Sequence, residues 1–218
     1  MKNKKSFKNR DDAFNQLCNK LPFNEINQEN WIVLATSAGG VPLAYELSKK
    51  IDASFDFIFT EKVNAPKNDE CEIAIVTETE DIIIQDELMR SFDIKLEDIY
   101  TEANLQYQIK IKKNISKYRD GKKIIDMKGK NVLLVDEGLN TGLTMMVCIK
   151  SVIGCGAKSV AVAVPILPEV TIYDIESIAD DLYYVNAPAH YVSIDFYYDT
   201  LEEINLEYIK NIVDEKEK

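Results

Sequence analysis

Two adjacent acids and a loop of glycine and hydroxyl residues carry the clearest chemistry in this sequence. Asp136 and Glu137 directly follow the apolar residues 132–135, and the loop GLNTGLT comes next at 138–144. The apolar run has no helical spacing and predicts a buried parallel strand, whereas residues 145–151 are compatible with a helix. A loop that opens a helix offers unpaired N–H groups to a phosphate, while the two carboxylates suit hydroxyl groups or a hydrated divalent cation.

Two better-known phosphate-binding loops are excluded by their spacing. A Walker A loop has four residues between its glycines and a lysine after the second, whereas three residues separate Gly138 from Gly142 and Leu143 follows. The dinucleotide fingerprint requires a strand before its glycines, but the Gly-Cys-Gly segment at 154–156 follows a predicted helix and precedes a predicted strand. We therefore expect residues 154–156 to end a helix.

A family resemblance extends over almost the whole chain. Residues 132–144, VLLVDEGLNTGLT, resemble the diphosphate-sugar signature of the type I phosphoribosyltransferases, which has an apolar strand, two acids and a loop ending in Thr-Gly-x-Thr. Residues 38–46, AGGVPLAYE, are similar to a segment of one bacterial branch of that family whose substrate is unassigned. Further likenesses to this branch are FKNRDDA at 7–13, AVAVPILP at 161–168 and FYYD at 196–199.

This resemblance implies a reaction. A phosphoribosyltransferase is a glycosyltransferase of nucleotide salvage that moves ribose 5-phosphate from phosphoribosyl pyrophosphate (PRPP) to a nitrogenous base and releases pyrophosphate. The resemblance implies Mg²⁺ as the cofactor, held near Asp136 and Glu137 through substrate and water with no direct protein ligand. It also implies a homodimer.

The same resemblance assigns roles to individual residues. Asp136 and Glu137 would accept hydrogen bonds from the ribose hydroxyls, and Lys62 would face the pyrophosphate, which makes these three the expected catalytic residues. The 5-phosphate would lie in the loop 138–144, and the pyrophosphate at the turn 37–40. The expected substrate-binding residues are Ser37, Ala38, Gly39, Gly40, Gly138, Leu139, Asn140, Thr141, Gly142, Leu143 and Thr144.

Several departures from the branch pattern leave a second function open. Ala38 and Glu61 stand where the branch usually has arginine, and Glu137 stands where the second acid is usually aspartate. Asn140 occupies a position at which purine-using relatives often have aspartate, and an amide cannot act as a general base. The alternative is a non-catalytic or weakly active module of the same fold that senses PRPP or a nucleotide.

Composition limits the classes of protein and partner. The 218 residues are 46% hydrophobic and 29% charged, values typical of one globular domain with a substantial core. A formal net charge of −11 argues against a nucleic-acid partner, because nucleic-acid backbones are bound by clustered basic residues. The four cysteines lack CxxC spacing, so we expect free thiols and no zinc site. Without a signal peptide or a membrane-spanning run, a cytoplasmic protein is expected.

The order of elements predicts an α/β fold, namely an open parallel sheet flanked by helices, Rossmann-like, with a helical and hairpin cap insertion. We expect one domain over residues 1–218, with a core at about 28–80 and 129–200 and the insertion at about 81–128. The expected strands of the parallel sheet cover 31–36, 55–60, 132–135, 159–165 and 182–186. A hairpin is expected over 72–85, and a long charged helix over 96–118.

Overall fold

The computed structural model describes residues 5–26, 29–66, 68–205, 208–209 and 211–212. The strands formed within these residues are β1 (Trp31–Ala35), β2 (Ser54–Phe57), β3 (Thr60–Ala65), β4 (Asn68–Thr77), β5 (Ile82–Ile84), β6 (Asn131–Val135), β7 (Ser159–Ile166) and β8 (Asp181–Asn186). The α-helices are α1 (Arg10–Cys18), α2 (Phe23–Ile26), α3 (Val41–Lys50), α4 (Asp86–Ser91), α5 (Leu96–Gln106), α6 (Lys112–Arg119), α7 (Leu143–Gly154) and α8 (Ile172–Glu176).

Five strands form a parallel sheet in the order β2-β1-β6-β7-β8, which confirms the predicted α/β fold class. The central strand β6 is buried along its whole length because both faces of the sheet are covered. Val132 and Leu134 belong to the core on the side of α7, whereas Leu133 and Val135 belong to the core on the side of α3. Alternate residues of one apolar run therefore supply two cores.

A second, antiparallel sheet has the strand order β3-β4-β5. The pairing of β4 with β5 confirms the hairpin predicted over 72–85. Helix α5 covers this sheet, because Ile99 and Ala103 lie in the same buried cluster as Val63 and Ala74. The long helix predicted over 96–118 is formed by α5 and α6, with a π-helical turn at Tyr107–Ile111 between them.

The strand predicted over 55–60 is wrong at its end. Strand β2 stops at Phe57, and β3 begins at Thr60 in the other sheet. The break occurs at Phe59, whose N–H donates to the Glu78 carboxylate (2.9 Å) and whose carbonyl accepts from the N–H of Glu78 (2.9 Å). The chain thus leaves the parallel sheet to join the end of β4, and because the residues stay apolar across the break, the sequence pattern does not show it.

Two further expectations concern the whole chain. The four cysteines, which are Cys18, Cys71, Cys148 and Cys155, are free thiols as expected. Within the described residues, the longest apolar helices fall short of what a bilayer crossing requires. The division into a core at about 28–80 and 129–200 and an insertion at about 81–128 stays a prediction.

Candidate functional site

A cavity of about 690 Å³ lies between the carboxyl ends of β1 and β6 and the second sheet. This is the edge of a parallel sheet at which α/β proteins bind ligands. The predicted site residues that line it are Ser37, Ala38, Gly39, Lys62, Asp136, Glu137, Gly138, Leu139, Asn140, Thr141, Gly142 and Thr144. Two predicted site residues, Gly40 and Leu143, are buried and do not line the cavity.

The loop 138–144 converts the end of β6 into the start of α7. The N–H of Leu139, a buried residue, donates to the carbonyl of Ile166 (2.9 Å) and anchors the loop to β7. Gly142 precedes the helix at φ +77°, a left-handed conformation that favours glycine. Within the described part of the chain, no acceptor receives the N–H groups of Asn140, Thr141, Gly142 and Thr144. Unpaired N–H groups at the positive end of a helix dipole suit a phosphate.

Asn140 connects this loop to the segment that follows β8. Its side-chain oxygen accepts from the hydroxyl of Tyr191 (3.1 Å) and from the N–H of Ile194 (3.3 Å). Ile194 also lines the cavity. The Asn140 amide therefore acts as an acceptor that joins the loop 138–144 to the segment after β8.

Asp136 is 5% exposed, and its carboxylate is held by three donors. The Thr36 hydroxyl donates to Oδ2 (2.6 Å), and the Ser37 hydroxyl (2.6 Å) and the N–H of Glu137 (2.7 Å) donate to Oδ1. Burial raises the pKa of Asp136, and the hydroxyl donors oppose this rise. A carboxylate held by these donors is fixed in orientation, and its Oδ2 atom, which accepts from a single donor, retains acceptor capacity.

Glu137 is paired with a residue that was not predicted as part of the site. Arg10, the first residue of α1, donates from Nε to Oε2 of Glu137 (2.7 Å), and its Nη2 lies 2.6 Å from the same oxygen. Burial raises the pKa of Glu137, and the Arg10 guanidinium opposes the rise. The only sequence signal for Arg10 was its place in the FKNRDDA segment that carries the family resemblance.

The turn after β1 is closed by Ser37. Its hydroxyl accepts from the N–H of Gly40 (3.1 Å) while donating to Asp136. The N–H groups of Ala38 and Gly39 donate to no acceptor among the residues that the structure describes. These two amides, and not that of Gly40, are therefore the ones that this turn can offer to an anion.

The second sheet and α4 supply the opposite wall of the cavity. Lys62, the predicted cation, lies there with its side chain 68% exposed and its Nζ 2.8 Å from Oε2 of Glu72. Cys71, Gln85 and Leu88 also line this wall and were not predicted. Their positions in the sequence carry no motif, since they meet only because β4, β5 and α4 fold back over the main sheet.

The aromatic residues near the carboxyl end of the chain mostly pack against one another. Tyr191 stacks on Tyr197 with ring centres 5.3 Å apart, and Tyr198 is buried against Phe7 at 5.0 Å. Among the described residues of this segment, Ile194 is the one that lines the cavity.

The donor set can be compared with what Mg²⁺ requires. The described residues contain no group of three or more histidine, cysteine, aspartate or glutamate side chains that could enclose a metal ion. The carboxylates of Asp136 and Glu137 border the cavity beside the unpaired amides, and the Glu72 carboxylate lies on the opposite wall, where it pairs with Lys62. This set fits Mg²⁺, which commonly uses one or two carboxylates together with waters and substrate phosphates.

Comparisons with known proteins agree with this geometry. Residues 3–215 match the model of the family described as "Phosphoribosyl transferase domain". Proteins of two Mycobacterium tuberculosis strains, both named "Putative phosphoribosyl transferase", are 27% identical over 192 residues, which cover 87% of this chain and 42% of each relative. This chain thus spans less than half the length of those curated relatives.

A solved structure shares the fold. The crystal structure of TT1426 from Thermus thermophilus superposes with a TM-score of 0.76 at 24% sequence identity, and the match covers 96% of this chain and 98% of that one. The family match covers nearly all described residues, including both loops and the two acids of the cavity. The chain therefore belongs to the phosphoribosyl transferase domain family.

Proposed function

We propose that this protein is a Mg²⁺-dependent phosphoribosyltransferase that transfers ribose 5-phosphate from PRPP to a nitrogenous base and releases pyrophosphate. One observation carries the proposal: a single cavity brings together a loop with unpaired amides, two neighbouring carboxylates and an exposed lysine. PRPP carries a terminal phosphate, vicinal hydroxyls and a pyrophosphate, and these groups would bind the amides, the carboxylates and the lysine respectively. No one of these three parts of the site could bind all three groups of PRPP.

The 5-phosphate would bind in the loop 138–144. The unpaired N–H groups of Asn140, Thr141, Gly142 and Thr144 lie at the start of α7, so they and the helix dipole would favour a dianion there. The hydroxyls of Thr141 and Thr144 would add donors. This assignment needs no rearrangement of the loop.

The ribose hydroxyls would be held by the two acids. Asp136 is oriented by Thr36 and Ser37, and its Oδ2 keeps a lone pair for a ligand hydroxyl. Glu137 would offer Oε1, because the contacts of Arg10 fall on Oε2. As the C1–O bond breaks, positive charge develops on the sugar, and fixed carboxylates nearby stabilise that charge.

The pyrophosphate would face the turn after β1 and the cap. Ala38 and Gly39 would donate their N–H groups, and Lys62 would swing from Glu72 towards the leaving group. An exposed ion pair of this kind contributes only about 0–1 kcal/mol, so its exchange for a pyrophosphate oxygen costs little. Mg²⁺, when bound near Asp136 and Glu137, would neutralise the charge that builds up on the pyrophosphate.

The nitrogenous base would lie against the wall formed by the second sheet and α4. Cys71, Gln85 and Leu88 border the cavity opposite the acids and give it an apolar and an amide surface.

The predicted homodimer, the cytoplasmic location and the division into core and insertion remain predictions that these contacts do not bear on.

The alternative function is a module of the same fold that binds PRPP or a nucleotide without turning it over. One observation favours it: Glu61, which stands where the branch has arginine, pairs with Lys110 (3.3 Å), and Ala38 brings no charge to the pyrophosphate side. Lys62 is then the basic side chain that reaches the cavity from the described residues. Weak stabilisation of the leaving group would permit binding and slow transfer.

One experiment separates these functions. Thermal stabilisation by PRPP with Mg²⁺ would be measured first, followed by a screen of purine and pyrimidine bases for pyrophosphate release. Stabilisation with turnover on one base supports the enzyme, and stabilisation without turnover selects the sensor. The variant Asp136→Asn with Glu137→Gln is the control, because it should lose the response to PRPP when its melting temperature with PRPP is compared with its own melting temperature without ligand. If PRPP does not change the melting temperature of the unaltered protein, both the enzyme and the sensor are ruled out.

A further inference from the structure

Arg10 makes an asymmetric contact with Glu137. Nε and Nη2 of the guanidinium both approach Oε2 of Glu137, at 2.7 Å and 2.6 Å, and Nη1 donates to the carbonyl of Glu202 (2.6 Å). The two side chains are 13% and 15% exposed, so the ion pair lies largely out of water. The usual two-oxygen fork between arginine and a carboxylate is absent from this pair. Oε1 of Glu137 is left to other donors.

The two oxygens of Glu137 have different surroundings. Glu137 and Gly39 line the cavity and Arg10 does not. Oε1 is the carboxylate oxygen nearer to Gly39, where a Cβ atom would collide with it, so the absence of a side chain at Gly39 leaves room beside Oε1. Glu137 is thus held between an arginine on one side and a glycine of the β1 turn on the other. This arrangement fixes the direction of a side chain that is one methylene longer than aspartate.

Phe7, three residues before Arg10, belongs to a junction of two distant segments. The N–H of Phe7 donates to the carbonyl of Tyr197 (3.0 Å), and the N–H of Asp199 donates to the carbonyl of Phe7 (2.8 Å). Tyr198, which is 1% exposed, donates its hydroxyl to the backbone carbonyl of Glu137 (2.7 Å). The backbone and the side chain of Glu137 are therefore both fixed by the same junction.

We propose that Arg10 is a positioning residue that aims Oε1 of Glu137 at one of the two vicinal hydroxyls of a ribose 5-phosphate group. The inference rests on the proposed function, because it assumes that the sugar phosphate lies in this cavity. Arg10 does not touch the ligand in this arrangement; it acts through Glu137. Loss of the arginine would free the longer acid to rotate away from the hydroxyl, while the phosphate loop would stay unchanged.

The test compares three ligands by calorimetry: ribose 5-phosphate, its 2-deoxy analogue and its 3-deoxy analogue. Arg10→Gln should lower the affinity for ribose 5-phosphate roughly tenfold. This is the size expected for the loss of one charge-assisted hydrogen bond. The affinity for the analogue that lacks the hydroxyl held by Glu137 should stay the same within about twofold. Glu137→Gln should show the same pattern, and the double variant should lose no more than either single variant.

Other results would overturn the inference. An equal loss for all three ligands would mean that Arg10 supports only the fold, and no loss for any of them would mean that Glu137 needs no positioning. Arg10→Lys keeps the charge without the guanidinium geometry, and it should restore most of the difference in affinity between ribose 5-phosphate and the deoxy analogue. It also replaces Arg10→Gln as the test variant if Arg10→Gln does not fold. If the unaltered protein binds neither ribose 5-phosphate nor PRPP, the proposed function itself fails, which is a separate outcome.

Discussion

The carboxylate of Glu137 occupies the space that a Cβ atom would take at Gly39. The acidic end of β6 and the turn after β1 are therefore in direct contact, although they are separated by almost a hundred residues of sequence. A side chain at position 39 and the observed position of the acid exclude each other. This relationship gives the sharpest test of the site.

Gly39→Ala should damage ligand binding more than stability. The new methyl group would push the Glu137 carboxylate away from Arg10 or from the cavity, so we expect roughly a tenfold loss of affinity for ribose 5-phosphate. The melting temperature should change little, because a side-chain tip can move. Calorimetry checks the first statement, and Gly154→Ala, where the nearest atom lies 3.8 Å away, is the matched control.

Gly40→Ala should have the opposite effect. A Cβ atom at this position would lie 2.9 Å from the carbonyl oxygen of Val135 and 2.9 Å from the Cα of Asp136, and backbone cannot move aside cheaply. We expect a loss of about 1–3 kcal/mol in the free energy of unfolding, the usual cost of overpacking. Urea denaturation measures it. Equal stability of the two alanine variants would contradict this distinction.

Asp136→Asn should reveal a stability cost that depends on pH. Burial raises the pKa of Asp136 above its ordinary value of 3.8, so the folded chain binds this proton more tightly than the unfolded chain. The free energy of unfolding that this group contributes is then greatest at low pH and falls as pH rises from about 3.8 through the folded-state pKa.

In Asp136→Asn, position 136 does not titrate, so its contribution to the free energy of unfolding does not fall as pH rises. Its amide can donate to Thr36 while its oxygen still accepts from Ser37 and from the N–H of Glu137, in place of the bonds that Asp136 makes. Relative to the unaltered protein, its free energy of unfolding should therefore increase as pH rises from about 3.8 through the folded-state pKa of Asp136. Denaturation curves at several pH values test the sign, and a difference that is constant with pH would refute it.

Lys62→Gln should discriminate between ligands with and without pyrophosphate. We expect about a tenfold loss of affinity for PRPP with Mg²⁺, at the low end for a hydrogen bond to a charged group because Lys62 must first leave Glu72. Affinity for ribose 5-phosphate should stay unchanged. Lys110→Gln is the control, since that lysine pairs with Glu61 on β3 and does not line the cavity.

Arg119→Ala should destabilise the fold without touching the cavity. The guanidinium is 8% exposed, pairs with Glu78 and lies 3.7 Å from Asp56, with the Phe59 ring 5.0 Å away. Its removal leaves two buried carboxylates without a counter-charge, so we expect a loss of roughly 3–5 kcal/mol in the free energy of unfolding. Lys113→Ala, on the exposed face of α6, should stay within about 0.5 kcal/mol. A small effect at Arg119 would mean that the acids become protonated at low cost.

The parts of the fold that could be predicted from sequence are those in which pattern and contact are local. The apolar residues of β6, the acids that follow and the small residues of the loop adjoin one another, so one segment contains a strand, a loop and a helix start. The same holds for β1 and the Ser37 turn. Both loops reach one cavity because parallel strands bring their carboxyl ends to the same edge.

The parts that could not be predicted depend on distance along the chain. Arg10 and Glu137 are 127 residues apart, and no local spacing relates them. Cys71, Gln85 and Leu88 enter the site only through the fold of the second sheet. The division between β2 and β3 is equally hidden, because Ile58 and Phe59 are as apolar as the strands that they separate.

The junction at Glu137 also sets an order of events during synthesis. Arg10 is synthesised before Glu137 and Tyr198 after it, and the acid is fixed only when both have reached it. A nascent chain that has already folded its central strands would still carry an untethered carboxylate. The proposed capacity to bind a sugar would thus appear abruptly, once the segment that contains Tyr198 has been added, and would not grow with each element.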